Sequence, residues 1–189
     1  MELFEAIRQR RTVYRFQDKP ISQLVIERCL DVARFAPNHK LTEPWRFIVV
    51  GPKTKLKLGD VAEKVAREKA GSTSGDELNA LIQKQIKKIT DLPGLIAITS
   101  RLSPQDAFRE QEDYAASVCA LHNLVLALWG EGIGAQWGTG RISRHADAME
   151  ILGIDTSVET CIGFLKFGYP DVIPQTKRKD VHDITTYLE

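Results

Sequence analysis

Gly130-Glu131-Gly132-Ile133-Gly134-Ala135-Gln136-Trp137-Gly138-Thr139-Gly140 is the stretch whose reading decides the fold. Its spaced glycines imitate the fingerprint that follows a strand and opens a helix in dinucleotide-binding folds. Here the order is reversed. Phe108 to Gly130 reads as the longest helix of the chain, and Ala135 to Gly140 reads as a strand. The glycines therefore close a helix and make a tight turn into a strand. Gly138 and Gly140 lack side chains, so the backbone there can come close to a flat ligand. Upstream, Tyr114 to Trp129 is apolar apart from His122 and Asn123 as the main exceptions. A helix apolar all round is buried on more than one face. It is the centre of the domain, half of a subunit interface, or both, and His122 reads as a core histidine with a satisfied hydrogen bond.

Outward from this stretch the chain alternates between helical and strand patterns. A first amphipathic helix carries Leu3, Phe4 and Ile7 on one face. Ser22 is placed to cap a second helix, about Gln23 to Phe35, which Pro37 ends. The polar loop Asn38 to Pro44 leads into a strand, Trp45 to Val50, stopped by Gly51-Pro52. Helices are expected over Thr54–Lys69 and Asp76–Thr90, separated by Gly71-Ser72-Thr73-Ser74-Gly75. Lys84, Lys87 and Lys88 read as the solvated face of the second of these, opposite its apolar stripe. Strands are expected over Leu95–Ser100 and Glu159–Gly168, with a short helix Arg144–Leu152 before the last.

The chain has 189 residues, 43% hydrophobic and 27% charged, with a formal net charge of +1. These values fit one globular domain spanning residues 1–189. They supply no global electrostatic term for nucleic acid or an anionic membrane. No apolar run approaches a membrane span, and the acidic, amphipathic N-terminus is wrong for a secretory signal. Cys29, Cys119 and Cys161 are far apart in apolar surroundings and read as buried, reduced thiols of a cytoplasmic protein. The four histidines have no metal-ligand spacing.

Arg10-Arg11-Thr12-Val13-Tyr14-Arg15-Phe16 follows the first helix. Guanidinium forks suit phosphate oxygens bidentately, and Thr12 adds a hydroxyl donor. From these residues alone a solvated basic loop and an anion site are both open.

Four stretches together resemble the FMN-dependent nitroreductase family, its small single-domain branch most closely. They are Arg10-Arg11-Thr12, Ala36 to Phe47, Gly132 to Gly140, and Ile162 to Pro170 with Arg178 beyond. The resemblance implies an α+β fold with a mostly antiparallel central sheet flanked by helices. It also implies a homodimer with FMN at the interface, which would cover the apolar helix Tyr114–Trp129. FMN carries a phosphate of about −1.5 to −2 charges. Arg10, Arg11 and Thr12 match the phosphate and ribityl contacts, and Arg178 matches a C-terminal arginine that reaches the phosphate. Lys177 and Lys179 leave that last register open. Asn38 and His39 match a loop beside the flavin. Trp137, Gly138 and Thr139 match the strand end along its ring, where backbone N–H groups meet N5; Trp137 as plain core stays open.

Two positions depart from the family pattern. Tyr14 stands where a basic residue is common near flavin N1 and O2, and Arg15 is the neighbour that could compensate. Glu43 replaces a common glutamine, and is expected to turn away or pair with a cation. The implied activity is hydride transfer from NAD(P)H through N5 to a small-molecule acceptor such as a nitroaromatic or quinone. Rival readings are a flavin-binding sensor or storage protein without turnover, or a dehalogenating or flavin-fragmenting relative whose lid would be Thr54–Thr90.

Overall fold

The computed structural model describes residues 2–188. Four strands form one sheet: β1 (Trp45–Val49), β2 (Gly94–Arg101), β3 (Gly134–Gly138) and β4 (Glu159–Gly168), in the order β1-β2-β4-β3. Every neighbouring pair is antiparallel. Six helices surround it: α1 (Leu3–Gln9), α2 (Gln23–Ala33), α3 (Pro52–Ala70), α4 (Gly75–Thr90), α5 (Ala107–Gly130) and α6 (Ala146–Leu152). The expected α+β architecture with a sheet between helices is therefore present.

Strand periodicity explains the layering. Side chains alternate across a sheet, so Ile96 and Ile98 of β2 join Leu165 and Phe167 of β4 against α2 and α5. Leu95 and Ala97 point the other way, with Phe164, into a second core made with α3, α4 and α6. Leu95, Ile96, Ala97 and Ile98 are each at most 1% exposed. Both faces of β2 are thus covered, which is why its sequence is an uninterrupted apolar run. Each such aliphatic side chain stabilises the fold by about 1.5–3 kcal/mol through burial.

Local chemistry accounts for the differences at element ends. α3 begins at Pro52, two residues earlier than expected, because proline is well suited to the first turn of a helix. The expected helix Arg144–Leu152 is two pieces, a single turn Arg141–Arg144 and then α6. His145 separates them and caps α6, its Nδ1 accepting from the Asp147 N–H at 3.2 Å. Asp106 caps α5 by accepting from the Arg109 N–H at 3.0 Å. Ser22 sits at the N-cap of α2 without a side-chain cap bond.

β4 contains one extra residue. Ile98 pairs with Gly163 but Thr99 pairs with Cys161, so Ile162 is skipped. The bulge ends at Gly163, whose φ of 145° is in the region that favours glycine.

α5 corrects two expectations. Ala116, Ala120, Leu121, Leu124 and Leu128 are buried, but His122 and Cys119 are exposed. One face of α5 meets the sheet and α2, and Tyr114, Ala115, Cys119 and His122 are left bare within one chain. Cys29 is buried and Cys161 half-buried. Among the described residues, no helix is long and apolar enough to cross a membrane. None of them group as three or more His, Cys, Asp or Glu placed to hold a metal ion.

Candidate functional site

The site is built on the free edge of β3. After α1 the chain runs beside that edge: Thr12 bridges Ala135 in parallel, and the Val13 N–H donates to the Ala135 carbonyl at 3.1 Å. Further on, the Gln17 N–H donates to the Tyr169 carbonyl at 2.9 Å, and the Asp171 N–H to the Arg15 carbonyl at 3.0 Å. Residues 12–17 are thereby stitched to β3 and to the end of β4. A Cβ at Gly134 would overlap Val13, so glycine there allows the close approach.

The same bonds orient β3. In an antiparallel pair, one residue points both backbone groups at its partner and the next points both away. The Ala135 carbonyl points away from β4, toward Val13. Trp137, two residues on, must point its N–H and C=O out of the sheet as well. The bridge at Thr12–Val13 does not extend that far, so the backbone of Trp137 faces an open edge. Gly138 ends the strand and Thr139 follows, exposed. The Trp137 ring, 38% exposed, lies over Gly163. Trp137 is therefore both a packing residue and an edge residue.

At the other end of this edge, three guanidinium groups gather. Burial lowers the pKa of Arg10 first, and repulsion from Arg178 and then Arg11 adds to it. Arg178 is thus a tail cation that acts on Arg10. Arg11 folds back to donate to the Arg8 carbonyl at 2.7 Å and the Arg10 carbonyl at 2.9 Å, while its buried Nε has no partner. Among the described residues, no carboxylate pairs with Arg10, Arg11 or Arg178. His122 also belongs here. Its ring is exposed in one chain, yet partial desolvation first, and Arg10 second, lower its pKa. Sequence reading assigned it to the core; its polarity in an apolar helix was the signal.

Asn38 and His39 are held elsewhere in the chain. Asn38 Oδ1 accepts from the Glu43 N–H at 2.9 Å, and its Nδ2 donates to the Ala36 carbonyl at 3.3 Å. His39 Nδ1 is 2.9 Å from Glu112 Oε2, and Thr42 Oγ1 donates to the buried Asp113 at 2.7 Å. Lys40, Leu41 and Glu43 have φ of 55°, 52° and 42°. Three such residues in one loop store strain of about 1–3 kcal/mol each, which the surrounding bonds must hold. Glu112 and His122 are about 15 Å apart along α5. One chain therefore does not bring the Asn38–His39 loop onto the arginine cluster.

Arg15 pairs with Asp171 at 3.6 Å, both largely exposed. Glu43 is exposed and makes no ion pair among the described residues. A cavity of about 740 Å³ opens beside Tyr14 and Gln136, with Lys84, Lys87, Lys88 and Lys166 in its wall. The three α4 lysines are exposed, as read from sequence, but they also border this cavity. Lys166 was not singled out; a lysine inside the apolar run of β4 was the available signal.

Known proteins share this fold. A solved nitroreductase-like protein from Bacillus cereus superposes with a TM-score of 0.84 at 26% identity, over 100% of this chain and 97% of that one. An oxidised iodotyrosine deiodinase, solved with FMN and 3-iodo-L-tyrosine, superposes with a TM-score of 0.75 at 24% identity over the full length of both. In sequence, YfhC of Bacillus subtilis (strain 168), provisionally named an NAD(P)H nitroreductase, is 29% identical over 178 residues, 94% of this chain and 89% of its own. The nitroreductase family model matches residues 7–169, from α1 to the end of β4, and the chain belongs to that family.

Proposed function

We propose that the protein is an FMN-dependent oxidoreductase that takes hydride from NAD(P)H and passes it to an oxidised small molecule. The observation that carries this reading is the cluster of Arg10, Arg11 and Arg178 without a carboxylate partner. Three neighbouring guanidinium groups repel one another, and a dianionic phosphate converts that repulsion into charge-assisted hydrogen bonds. The residues present thus fit the cofactor.

Bound FMN supplies a hydride relay at its N5. The chain's residues hold and orient it. Arg10, Arg11 and Arg178 take the phosphate, and Thr12 the ribityl chain. The outward backbone of Trp137, with Gly138 and Thr139 beside it, would line the ring and give N5 a donor. Gly138 keeps that approach open, and the Trp137 ring anchors the strand from behind. The relative solved with FMN has the same fold, which supports FMN as the cofactor.

The Asn38–His39 loop completes the site from a second copy. Leu3, Phe4 and Ile7 of α1, Leu41, Tyr114, and Ile184, Tyr187 and Leu188 of the tail are apolar and exposed in one chain. A homodimer would cover such surface.

The decisive experiment is spectroscopic. Purified protein should carry or take up FMN, elute as a dimer, and have its flavin absorbance bleached by NADH or NADPH without oxygen. A nitroaromatic or quinone should then restore it. Colourless protein that gains no flavin absorbance overturns the reading. Flavin that stays oxidised with both nucleotides indicates a sensor.

A further inference from the structure

A second cavity, of about 570 Å³, lies between α3, α4 and the turn Arg141–Arg144. Lys69, Lys88, Arg141, Arg144 and Lys166 line it, and no aspartate or glutamate does. The nearby acids are engaged outside it: Asp147 with Lys64 at 2.6 Å, and Glu68 3.7 Å from His145. Lys88 Nζ reaches only the Gln85 amide oxygen, at 3.4 Å. None of the five cations has a carboxylate partner among the described residues.

Val65, Leu81, Ile89 and Ile142 give the lining an apolar part, with Thr73 and Gln85 as its neutral polar groups. Cations around a concave, low-dielectric wall focus a positive potential into it. A ligand that suits both parts has an apolar body and an acid group. Arg141 and Arg144 present forks that take an acid oxygen pair bidentately. Lys166 pairs with Gln136 in the strand ladder and lines both cavities. The second cavity therefore adjoins the edge given above to the flavin, and Gly140 and Arg141 continue directly from Thr139.

We propose that this cavity binds a small organic anion with an apolar body, a carboxylate or a phosphate ester, and is the specificity site for the molecule that exchanges hydride with the flavin. The exchange role rests on the flavin reading; anion binding does not.

The experiment is calorimetric titration of purified protein, as isolated, with 4-nitrobenzoate, its neutral counterpart 4-nitrobenzyl alcohol, and NADPH, each at fixed ionic strength. The carboxylate should bind roughly ten-fold or more tightly than the alcohol. The exposed pair Arg141→Gln and Arg144→Gln should remove that preference, leaving melting temperature and flavin content unchanged. Loss of nitrobenzoate binding alone supports an acidic acceptor as the source of the anion. Loss of NADPH binding supports the nucleotide phosphates as that source. Equal binding of acid and alcohol overturns the proposal, as does a double variant that keeps every affinity, or sulfate that abolishes the preference at millimolar concentration. Colourless protein would sink the flavin reading while leaving these titrations decisive.

Discussion

The indole N–H of Trp137 donates to the Ile162 carbonyl at 3.0 Å. Ile162 is the residue skipped in the ladder between β2 and β4. The bulge frees its carbonyl, and the indole takes it up. The same bulge places Gly163 under the ring, where a Cβ would overlap the indole. A backbone irregularity inside β4 thus sets the position of the edge strand that carries the candidate site.

Gly163→Ala should therefore damage both stability and site. Its φ of 145° is strained for alanine, at a cost of about 1–3 kcal/mol before the clash is counted. Urea unfolding should show at least that loss, and FMN should dissociate more readily. Unchanged unfolding with full flavin retention would remove the bulge from the account of the site.

Arg10→Gln should weaken FMN retention by about 10- to 100-fold, the loss of a charge-assisted hydrogen bond of roughly 1.5–3 kcal/mol. Arg10 makes no ion pair among the described residues, so the fold should survive. Equilibrium dialysis of FMN against wild type, Arg10→Gln and Arg10→Lys measures this, with lysine intermediate.

Tyr14 stands where the family resemblance implies a cation beside the flavin pyrimidine, and the neighbouring Arg15 pairs instead with Asp171 at 3.6 Å. Arg15→Ala should leave the flavin reduction potential unchanged. Lys166 shares a cavity with Tyr14 and Gln136, and burial, then Lys88, lowers its pKa. Lys166→Gln should make the potential more negative by on the order of 30 mV, since a cation stabilises the reduced, more negative flavin. Redox titration of both variants separates the two residues.

Thr42 Oγ1 donates to Asp113, which is 2% exposed. Thr42→Val leaves that buried carboxylate short of a donor, and should cost about 1–3 kcal/mol in chemical denaturation. Three left-handed residues depend on the same anchor, so the 38–43 loop should also become sensitive to protease.

Glu159 yields a pH signature. Burial raises its pKa, but bonds from Arg46 and Thr99 outweigh this and hold it below the usual value. A depressed carboxyl stabilises the fold above its unfolded value of about 4.3, and that contribution is lost as pH falls through the folded value. Glu159→Gln should therefore melt below wild type at pH 7, and the gap should narrow in acid. A gap independent of pH would mean that the charge on Glu159 contributes nothing.

Much of the architecture was legible in local sequence. β4 has the boundaries read from its apolar run, and Leu95–Ser100 lies wholly within β2. Burial on both faces of these strands demands such runs. The direction of the glycine stretch, helix then strand, separated this fold from nucleotide-binding folds with the reverse order. Arg10-Arg11-Thr12 and Trp137-Gly138-Thr139 stood out as stretches because each carries its residue types in series, while the place of Arg178 beside them was left open.

His122, Cys119 and Lys166 were not. Whether an apolar helix hides all its faces depends on what packs against each one, and one chain leaves part of α5 bare. Lys166 acquires its setting from α4 and β3, which are distant in sequence.

The sequence by itself determined the elements, their amphipathic faces and the residue types available for an anion, since these follow from periodicity and side-chain chemistry. Only the tertiary structure decided that Arg178 acts on Arg10, that Arg15 pairs with Asp171, and that His39 is tied to Glu112. The physical reason is that charge acts through space. Which cations gather without a partner is set by how the chain returns on itself, and no local pattern records that.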